Sequence, residues 1–498
     1  MTVEPSPAGS TESPARSGES PPRSAESHVR FALAVAAVAV AAAGFAIVFR
    51  ALLGGALQLA YHSRDIVSAF RGLPAAARLL LPALGGLLAG LSAHAAAAGG
   101  KSQGVGDVME AIVLGRTQLS MRITLLKSLG SWLAINTGGS IGREGPLIQF
   151  GGSLGATLGR WLRIDDERVR VLIAAGTAAG FAAAYNTPLA ALLFVLEIMT
   201  GVVVLDTVLP VLVATALATA LTRAVVGGGP IYGQRTFGVP SPGAYLAHAC
   251  LGLLAGVAAH VFMRLLSRSE AWLTRGPVPQ PWRAGLGGLC VGLLALHVPE
   301  ITGNGYEPLN ALLDGHMATS MVLLLLLAKP LATTASVSSG SPGGVFTPTL
   351  LFGAALGACY CHVLASLLGA PALGSTGSYA LVGMAAVTAA TTHAPLMAAV
   401  LVFELSGDYA IVLPLLLATA LATLVSRRLR RESIYTAELR ARRVPWELTL
   451  EGRRCCDLRA RGARSGLRRA ASGVARAWLA RRGGAPRTCA RRSPARAC

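Results

Sequence analysis

Two glycine-rich turns hold the residue types in this chain that are best suited to binding an anion. The first is GSIGREGPLIQFGG at Gly139–Gly152, and the second is GVFTP at Gly344–Pro348. Glycines let backbone N–H groups turn into one concavity, and each proline suits the first turn of the apolar helix that follows. Such N–H groups and the positive end of a helix dipole bind anions without a buried Lys or Arg. The pattern predicts a site for a dehydrated halide where two helix N-termini meet.

Glu144 lies in the middle of the first turn. An ionisable side chain at membrane depth is costly and is by default a functional hypothesis. Its carboxylate is expected to occupy the anion site itself and to leave when protonated, which would make it both gate and proton acceptor. The alternative, from position alone, is a loop glutamate paired with Arg143.

An internal repeat positions these turns. Lys127–Pro146 aligns without a gap with Lys329–Pro348, and Pro188–Glu197 aligns with Pro395–Glu404. In transporters, repeats of this kind place the ion site where the halves meet, at broken helices. We divide the chain into a disordered leader (1–30), a first membrane repeat (31–225), a connector with the second repeat (226–426), and a basic, mostly disordered cytoplasmic tail without a regulatory domain (427–498).

The composition is that of an all-α polytopic membrane protein. The 498 residues are 53% hydrophobic and only 14% charged, with a mean hydropathy of +0.56. Many apolar runs are short or interrupted by Gly or Pro, which is typical of helices that tilt, re-enter or stop midway. The net charge of +20 is concentrated in the tail, where Arg453–Cys498 holds 14 Arg and one acidic residue. Beside a membrane domain, the positive-inside rule favours a cytoplasmic tail over a nucleic-acid partner.

Motifs of other protein classes are missing from the sequence. It contains no GxxxxGK[ST] or HExxH motif, and its eight cysteines and nine histidines have no zinc-type spacing. We therefore expect neither an enzyme nor a cofactor or metal. A membrane-embedded enzyme would need clustered nucleophiles or metal ligands, and a non-transporting scaffold would leave the paired glycine turns unexplained.

Three segments resemble signatures of the CLC family of chloride channels and proton–chloride exchangers. GSIGREGP resembles the family's GKxGREGP-type signature, GGVFTP resembles GxFxP, and Ser433–Arg442 resembles the segment that carries a pore tyrosine. They lie in the family's order within residues 31–445. The resemblance implies the CLC-type fold of two inverted repeats, and a homodimer with one chloride path in each subunit. We expect an integral protein of the plasma (inner) membrane of a bacterium, with both termini cytoplasmic.

The resemblance also assigns roles to individual residues of the pore. Tyr435 would offer its hydroxyl to the central anion. Backbone amides would line the anion sites at Arg143, Glu144, Gly145, Val345, Phe346 and Thr347.

The chain departs from the family pattern at two positions. The family's first signature, GSGIP, appears here as SQGVG, so that Gln103 replaces a common serine and joins the expected anion-binding residues. Many exchangers have two adjacent acids before a Met, whereas this chain has Glu197 followed by Ile198, in the place of the proton-relaying acid. Glu197 and its repeat partner Glu404 are expected to be structural, capping or pairing at helix ends. His393 is an alternative proton relay, although a lone His near a helix start is more often structural.

These observations predict chloride transport gated by Glu144. We favour proton–chloride antiport, because the chain is compact and lacks regulatory domains. The alternative is a passive channel gated by voltage or pH, which Ile198 would suit. Selectivity for another anion, such as nitrate or fluoride, is a further alternative, although fluoride-selective members usually depart from the GREGP that is intact here.

Gln103 provides a test of the pore assignment. A long amide in place of a short hydroxyl changes the size of the site and the direction of its donor, so we expect Gln103→Ser to shift the chloride-to-nitrate permeability ratio. The ratio is measured from reversal potentials in bilayers or from competing fluxes in liposomes. An unchanged ratio across several anions would remove Gln103 from the pore.

Overall fold

The computed structural model describes most of the chain, namely residues 25–98, 104–115, 117–201, 205–229, 231–233, 235–237, 241–368, 374–441, 446–449 and 452–455. The first half is helical. Its elements are α1 (Ala25–Tyr61), α2 (Ile66–Gly72), α3 (Ala75–Ala97), α4 (Val105–Leu114), α5 (Met121–Asn136), α6 (Glu144–Trp161), α7 (Asp166–Tyr185), α8 (Pro188–Leu193), a π-helical segment (Phe194–Thr200) and α9 (Leu205–Val226). Helix α1 thus begins within the predicted leader, and α9 ends at the predicted boundary between the halves.

The second half runs through helices in the same order and then adds a helix and a hairpin. Its elements are α10 (Pro242–Arg275), α11 (Gln280–Ala295), a 3-10 turn (Pro299–Ile301), α12 (Tyr306–Leu313), α13 (Thr319–Ser338), α14 (Phe346–Leu368), α15 (Thr376–Thr392), α16 (Pro395–Ser406), α17 (Val412–Leu429), α18 (Ile434–Ala441), β1 (Trp446–Thr449) and β2 (Gly452–Cys455). Helix α18 and the antiparallel β1–β2 pair lie in the segment predicted as a mostly disordered tail, of which 442–445, 450–451 and 456–498 are outside the described residues.

Seven helical stretches in the described part of the chain are long and apolar enough to cross a membrane. Large apolar side chains on these stretches are exposed, as the lipid-facing surface of a bundle requires. Examples are Leu209, Leu246, Leu327 and Leu413. The protein is therefore an integral membrane protein, as the composition predicted.

The two halves repeat each other down to single hydrogen bonds. Helices α5 and α13 both end at a glycine in the left-handed region, Gly138 with φ of 90° and Gly340 with φ of 95°. The Gly138 amide donates to the Ile135 carbonyl at 3.1 Å, and the Gly340 amide donates to the Val337 carbonyl at 3.0 Å. Only glycine adopts this conformation at little cost, so both turns explain why the sequence repeat keeps its glycines aligned.

Glu197 and Glu404 join the halves through reciprocal caps. Glu197 accepts hydrogen bonds from the amides of Leu396 and Met397, at 3.3 and 2.7 Å, in the first turn of α16. Glu404 accepts them from the amides of Leu189 and Ala190, at 3.1 and 2.8 Å, in the first turn of α8. A carboxylate is well suited to the bare amides and positive dipole of a helix N-terminus. The structural role expected for both glutamates is confirmed.

The reciprocal caps predict equal contributions to stability. Glu197→Ala and Glu404→Ala should each lower the free energy of unfolding by roughly 1–3 kcal/mol, because two amides at a helix N-terminus lose a charged acceptor. The corresponding Gln variants should lose less, since the amide oxygen still accepts one bond. Thermal unfolding in detergent measures the series. A large loss at one site with none at the other would contradict the symmetric role.

A polar cluster of Asp65, Glu307 and Lys329 connects the start of α2 with α12 and α13. Helix α12, which carries Glu307, lies outside the seven spanning stretches. The fully buried Lys329 on α13 donates to the carbonyls of Ile301 and Gly303 at 2.8 and 3.0 Å. Burial, together with a hydrogen bond to Asp65 and the charge of that residue, raises the pKa of Glu307 to about 9. Glu307 is therefore protonated in the folded protein at neutral pH.

This raised pKa gives the folded protein a pH-dependent stability. The unfolded chain releases the Glu307 proton near the ordinary value of 4.5, whereas the folded protein keeps it to about pH 9. The stabilisation is therefore complete below the lower value and declines as pH rises to the upper one. We expect the unfolding temperature in detergent to fall between about pH 5 and 9, and Glu307→Gln to flatten this decline. The exposed Glu26→Gln is the control, and an equal slope in both variants would refute the assignment.

Candidate functional site

The two glycine turns meet in one short antiparallel bridge. The Gly142 amide donates to the Gly344 carbonyl at 2.7 Å, and the Gly344 amide donates back to the Gly142 carbonyl at 2.9 Å. Helices α6 and α14 start two residues after these glycines. The N-cap residue of α6, Arg143, makes no capping hydrogen bond with its side chain to the described first turn of that helix. The bridge thus brings two helix N-termini together, as the sequence predicted.

The Glu144 side chain is buried between the two bridged glycines. A methyl group at either Gly142 or Gly344 would collide with its carboxylate. One oxygen, Oε1, accepts a hydrogen bond from the Thr347 amide at 3.0 Å, and Oε2 accepts one from the Thr347 hydroxyl at 2.9 Å. The Glu144 carboxyl group therefore occupies the N-terminal turn of α14, where the anion was expected.

Tyr185 adds a hydroxyl that sequence reasoning missed. Its oxygen lies 2.7 Å from the Thr347 hydroxyl oxygen, and both side chains are buried. Tyr185 is the last residue of α7, immediately before the NTPLAALLFVLE segment that carries the family resemblance. Its place beside that segment was a signal, but its contact with a residue of the other repeat could not be predicted from spacing.

Three other residues that were expected to line the site, Gly145, Phe346 and Val345, lie on the same two turns as Glu144 and Thr347. Gly145 approaches the Gly344 backbone, where an added methyl group would lie 3.4 Å from the Gly344 nitrogen. Phe346 is buried against Phe181, in an edge-to-face contact with ring centroids 5.5 Å apart. Val345, half-buried, lies between the bridge and α14. The two turns therefore pack against each other beside the Glu144 side chain.

Of the two side chains expected to bind the anion, Tyr435 is among the described residues and Gln103 is not. Tyr435 is buried on α18, with its ring edge-to-face with Phe194 at 6.0 Å, and it interacts electrostatically with Glu144. Its hydroxyl makes no hydrogen bond within the described residues, so it is free to donate to an anion. Gln103 lies outside the described residues. Ile198, in the π-helical segment, is fully buried.

His393 ends α15 in the left-handed conformation, with φ of 60°. Asn186 ends α7 in the same way, also with φ of 60°. The His393 amide donates to the Ala389 carbonyl at 2.8 Å, and its Nε2 lies 3.3 Å from the Ser426 hydroxyl. The two residues are thus equivalent helix caps of the repeat, which favours the structural interpretation of His393.

Two guanidinium groups, those of Arg50 and Arg143, line a small cavity near Glu144. Arg143 precedes Glu144, and its guanidinium makes a long hydrogen bond of 3.5 Å to the Ala184 carbonyl. Arg50, within the apolar helix α1, shares the cavity with apolar side chains of α1, α6 and α7. Arg50 makes no hydrogen bond or ion pair with the described residues. Two cations without an acidic partner among those residues create a positive potential next to the buried carboxylate.

Most of the chain is similar to known protein sequences. The family model for the voltage gated chloride channel matches residues 85–427. The putative chloride channel protein ClcB-like of Ralstonia nicotianae is 41% identical over 385 residues, covering 76% of this chain and 90% of that protein. The voltage-gated ClC-type chloride channel ClcB of Salmonella typhimurium is 35% identical over 399 residues, with coverages of 76% and 90%.

Solved structures share the fold. A slow cyanobacterial Cl⁻/H⁺ antiporter superposes with a TM-score of 0.72 at 26% identity, covering 83% of this chain and 98% of that one. A CLC-type fluoride/proton antiporter has a TM-score of 0.68 at 25% identity, with the same coverages. These similarities confirm the predicted CLC-type helical fold. The chain belongs to the voltage gated chloride channel family, the CLC family, whose members are channels or transporters and not enzymes.

Proposed function

We propose that this protein moves chloride across the membrane by proton–chloride antiport, with Glu144 as the gate. The observation that carries the proposal is the buried Glu144 carboxylate at the N-terminus of α14, bound by both donors of Thr347. A halide would bind at the same helix N-terminus through the Thr347 amide, so carboxylate and anion compete for one site. Protonation removes the negative charge and releases the carboxylate, which links a proton to each opening of the path.

A passive chloride channel is the second candidate, and Ile198 favours it. An isoleucine cannot carry a proton, and the adjacent Glu197 is engaged in capping α16. Similar proteins divide in the same way, since the sequence relatives are named chloride channels and the similar structures are antiporters. Simultaneous recording of chloride and proton movement in liposomes separates the two mechanisms.

Anion choice, assembly and location complete the proposal. Chloride is favoured because the GREGP segment is intact and the relatives are chloride channels; nitrate and fluoride are the competitors to test. We propose a homodimer with one path per subunit, in the plasma membrane of a bacterium, with both termini cytoplasmic. The basic tail supports that orientation through the positive-inside rule.

Glu144→Gln tests the gate. A neutral amide cannot take up and release a proton, so we expect passive chloride flux that is independent of pH and is accompanied by no proton movement. Purified protein in liposomes under a chloride gradient, with chloride and pH electrodes, gives both quantities.

The wild-type protein and the exposed Glu26→Gln variant are the controls, and both should couple protons to chloride. A Glu144→Gln variant that still moves protons uphill at the wild-type ratio would exclude Glu144 as the gate. A wild-type protein that moves chloride without protons would establish the channel alternative.

A further inference from the structure

A chain of three buried groups ends on the gate. Glu144, Thr347 and Tyr185 are only 1%, 4% and 4% exposed. Thr347 engages both carboxylate oxygens, through its amide at 3.0 Å and its hydroxyl at 2.9 Å, and the Tyr185 hydroxyl lies 2.7 Å from that same hydroxyl. The contacts connect the end of α7 in one repeat with the start of α14 in the other.

The chemistry of the groups fixes the direction of these hydrogen bonds. An ionised carboxylate only accepts, so the Thr347 hydroxyl must give its one proton to Glu144. The Thr347 oxygen then has lone pairs left, and the Tyr185 hydroxyl donates to it. Donors linked in series polarise one another and strengthen the terminal bond to the charged group. Both hydroxyls therefore favour the ionised, bound form of the gate.

We propose that Thr347 and Tyr185 are positioning residues that latch the Glu144 carboxylate in the anion site. Their hydroxyls set the chloride concentration and the pH at which the gate opens. This inference rests on the proposed function and adds two side chains to it. Without the Thr347 hydroxyl the backbone amide still binds an anion, but the carboxylate is held less firmly.

Other charged or titratable groups near the gate are the same in every variant of the test. They are Arg143 on the same turn, Arg50 on α1, Tyr435 on α18, and Tyr232, which also interacts electrostatically with Glu144. A change seen on removal of a single hydroxyl is therefore not caused by the loss of one of these groups.

The experiment compares Thr347→Val, Thr347→Ser, Tyr185→Phe and the Thr347→Val/Tyr185→Phe double variant in liposomes. Chloride flux is recorded against pH and against chloride concentration. A hydrogen bond to a charged group accounts for roughly a tenfold change in equilibrium. We expect Thr347→Val to lower the half-saturating chloride concentration about tenfold and to raise the pH of half-maximal flux by about one unit. Thr347→Ser should resemble the wild type.

Tyr185→Phe should shift both quantities in the same direction but less. The double variant should match Thr347→Val alone, because Tyr185 acts only through the Thr347 hydroxyl, and a merely structural role would instead add. Thr349→Val is the matched control. It removes a buried hydroxyl from the same helix, one that bonds to the Val345 carbonyl at 2.7 Å and belongs to no latch contact.

The Glu144→Gln background completes the test. Flux there should not depend on pH, and no latch variant should shift its half-saturating chloride concentration or restore a pH dependence. The latch is refuted if Thr347→Val keeps the wild-type profile, if Thr349→Val gives the same shift, or if the shifts persist in the Glu144→Gln background. Should Thr347→Val fail to fold, Thr347→Ser and Tyr185→Phe decide the question. A wild-type protein without chloride flux would instead overturn the proposed function. Chloride flux that depends on Glu144 but is unchanged by substitutions at Thr347 and Tyr185 would overturn the latch alone.

Discussion

The reciprocal backbone bridge between Gly142 and Gly344 is the constraint on which the rest of the site depends. It brings the first turns of α6 and α14 next to each other. Glycine is required at both positions because the Glu144 carboxylate occupies the space that a methyl group would need. One contact between two backbones therefore determines where the Glu144 carboxylate lies, and under the proposed function it also determines where the anion would bind.

Three carboxylates in this fold lie at helix N-termini of the opposite repeat, yet only one breaks the internal symmetry. Glu197 and Glu404 cap each other's neighbouring helices with equivalent pairs of amides. In the alignment that pairs Gly142 with Gly344, the position equivalent to Glu144 is Phe346. One repeat thus supplies a carboxylate and the other supplies its donors, so the two repeats contribute differently to this site.

The sequence was sufficient to predict features determined by local residue types. The glycine turns, the helices after Pro146 and Pro348, and the apolar spans all follow from glycine conformation, proline geometry and hydrophobicity. The contact between Tyr185 and Thr347 did not, because it joins residues 162 positions apart that only the packing of α7 against the second repeat brings together. The partners of Glu197 and Glu404 were missed for the same reason, although their structural role was predicted.

Glu197 lies beside Ile198, which holds the place of the proton-relaying acid, and both residues affect how protons would be coupled to chloride. Glu197 is fixed by two amides of α16, and Ile198 is fully buried, so neither side chain is placed to pass a proton onward. A proton that reaches Glu144 from that side would need to travel along water. Coupling would then depend on how long the gate stays bound while water delivers the proton, and the hydrogen bonds that hold Glu144 would govern that time. The strength of the hold on one carboxylate, more than a dedicated relay, would thus separate an exchanger from a leaky channel in this fold.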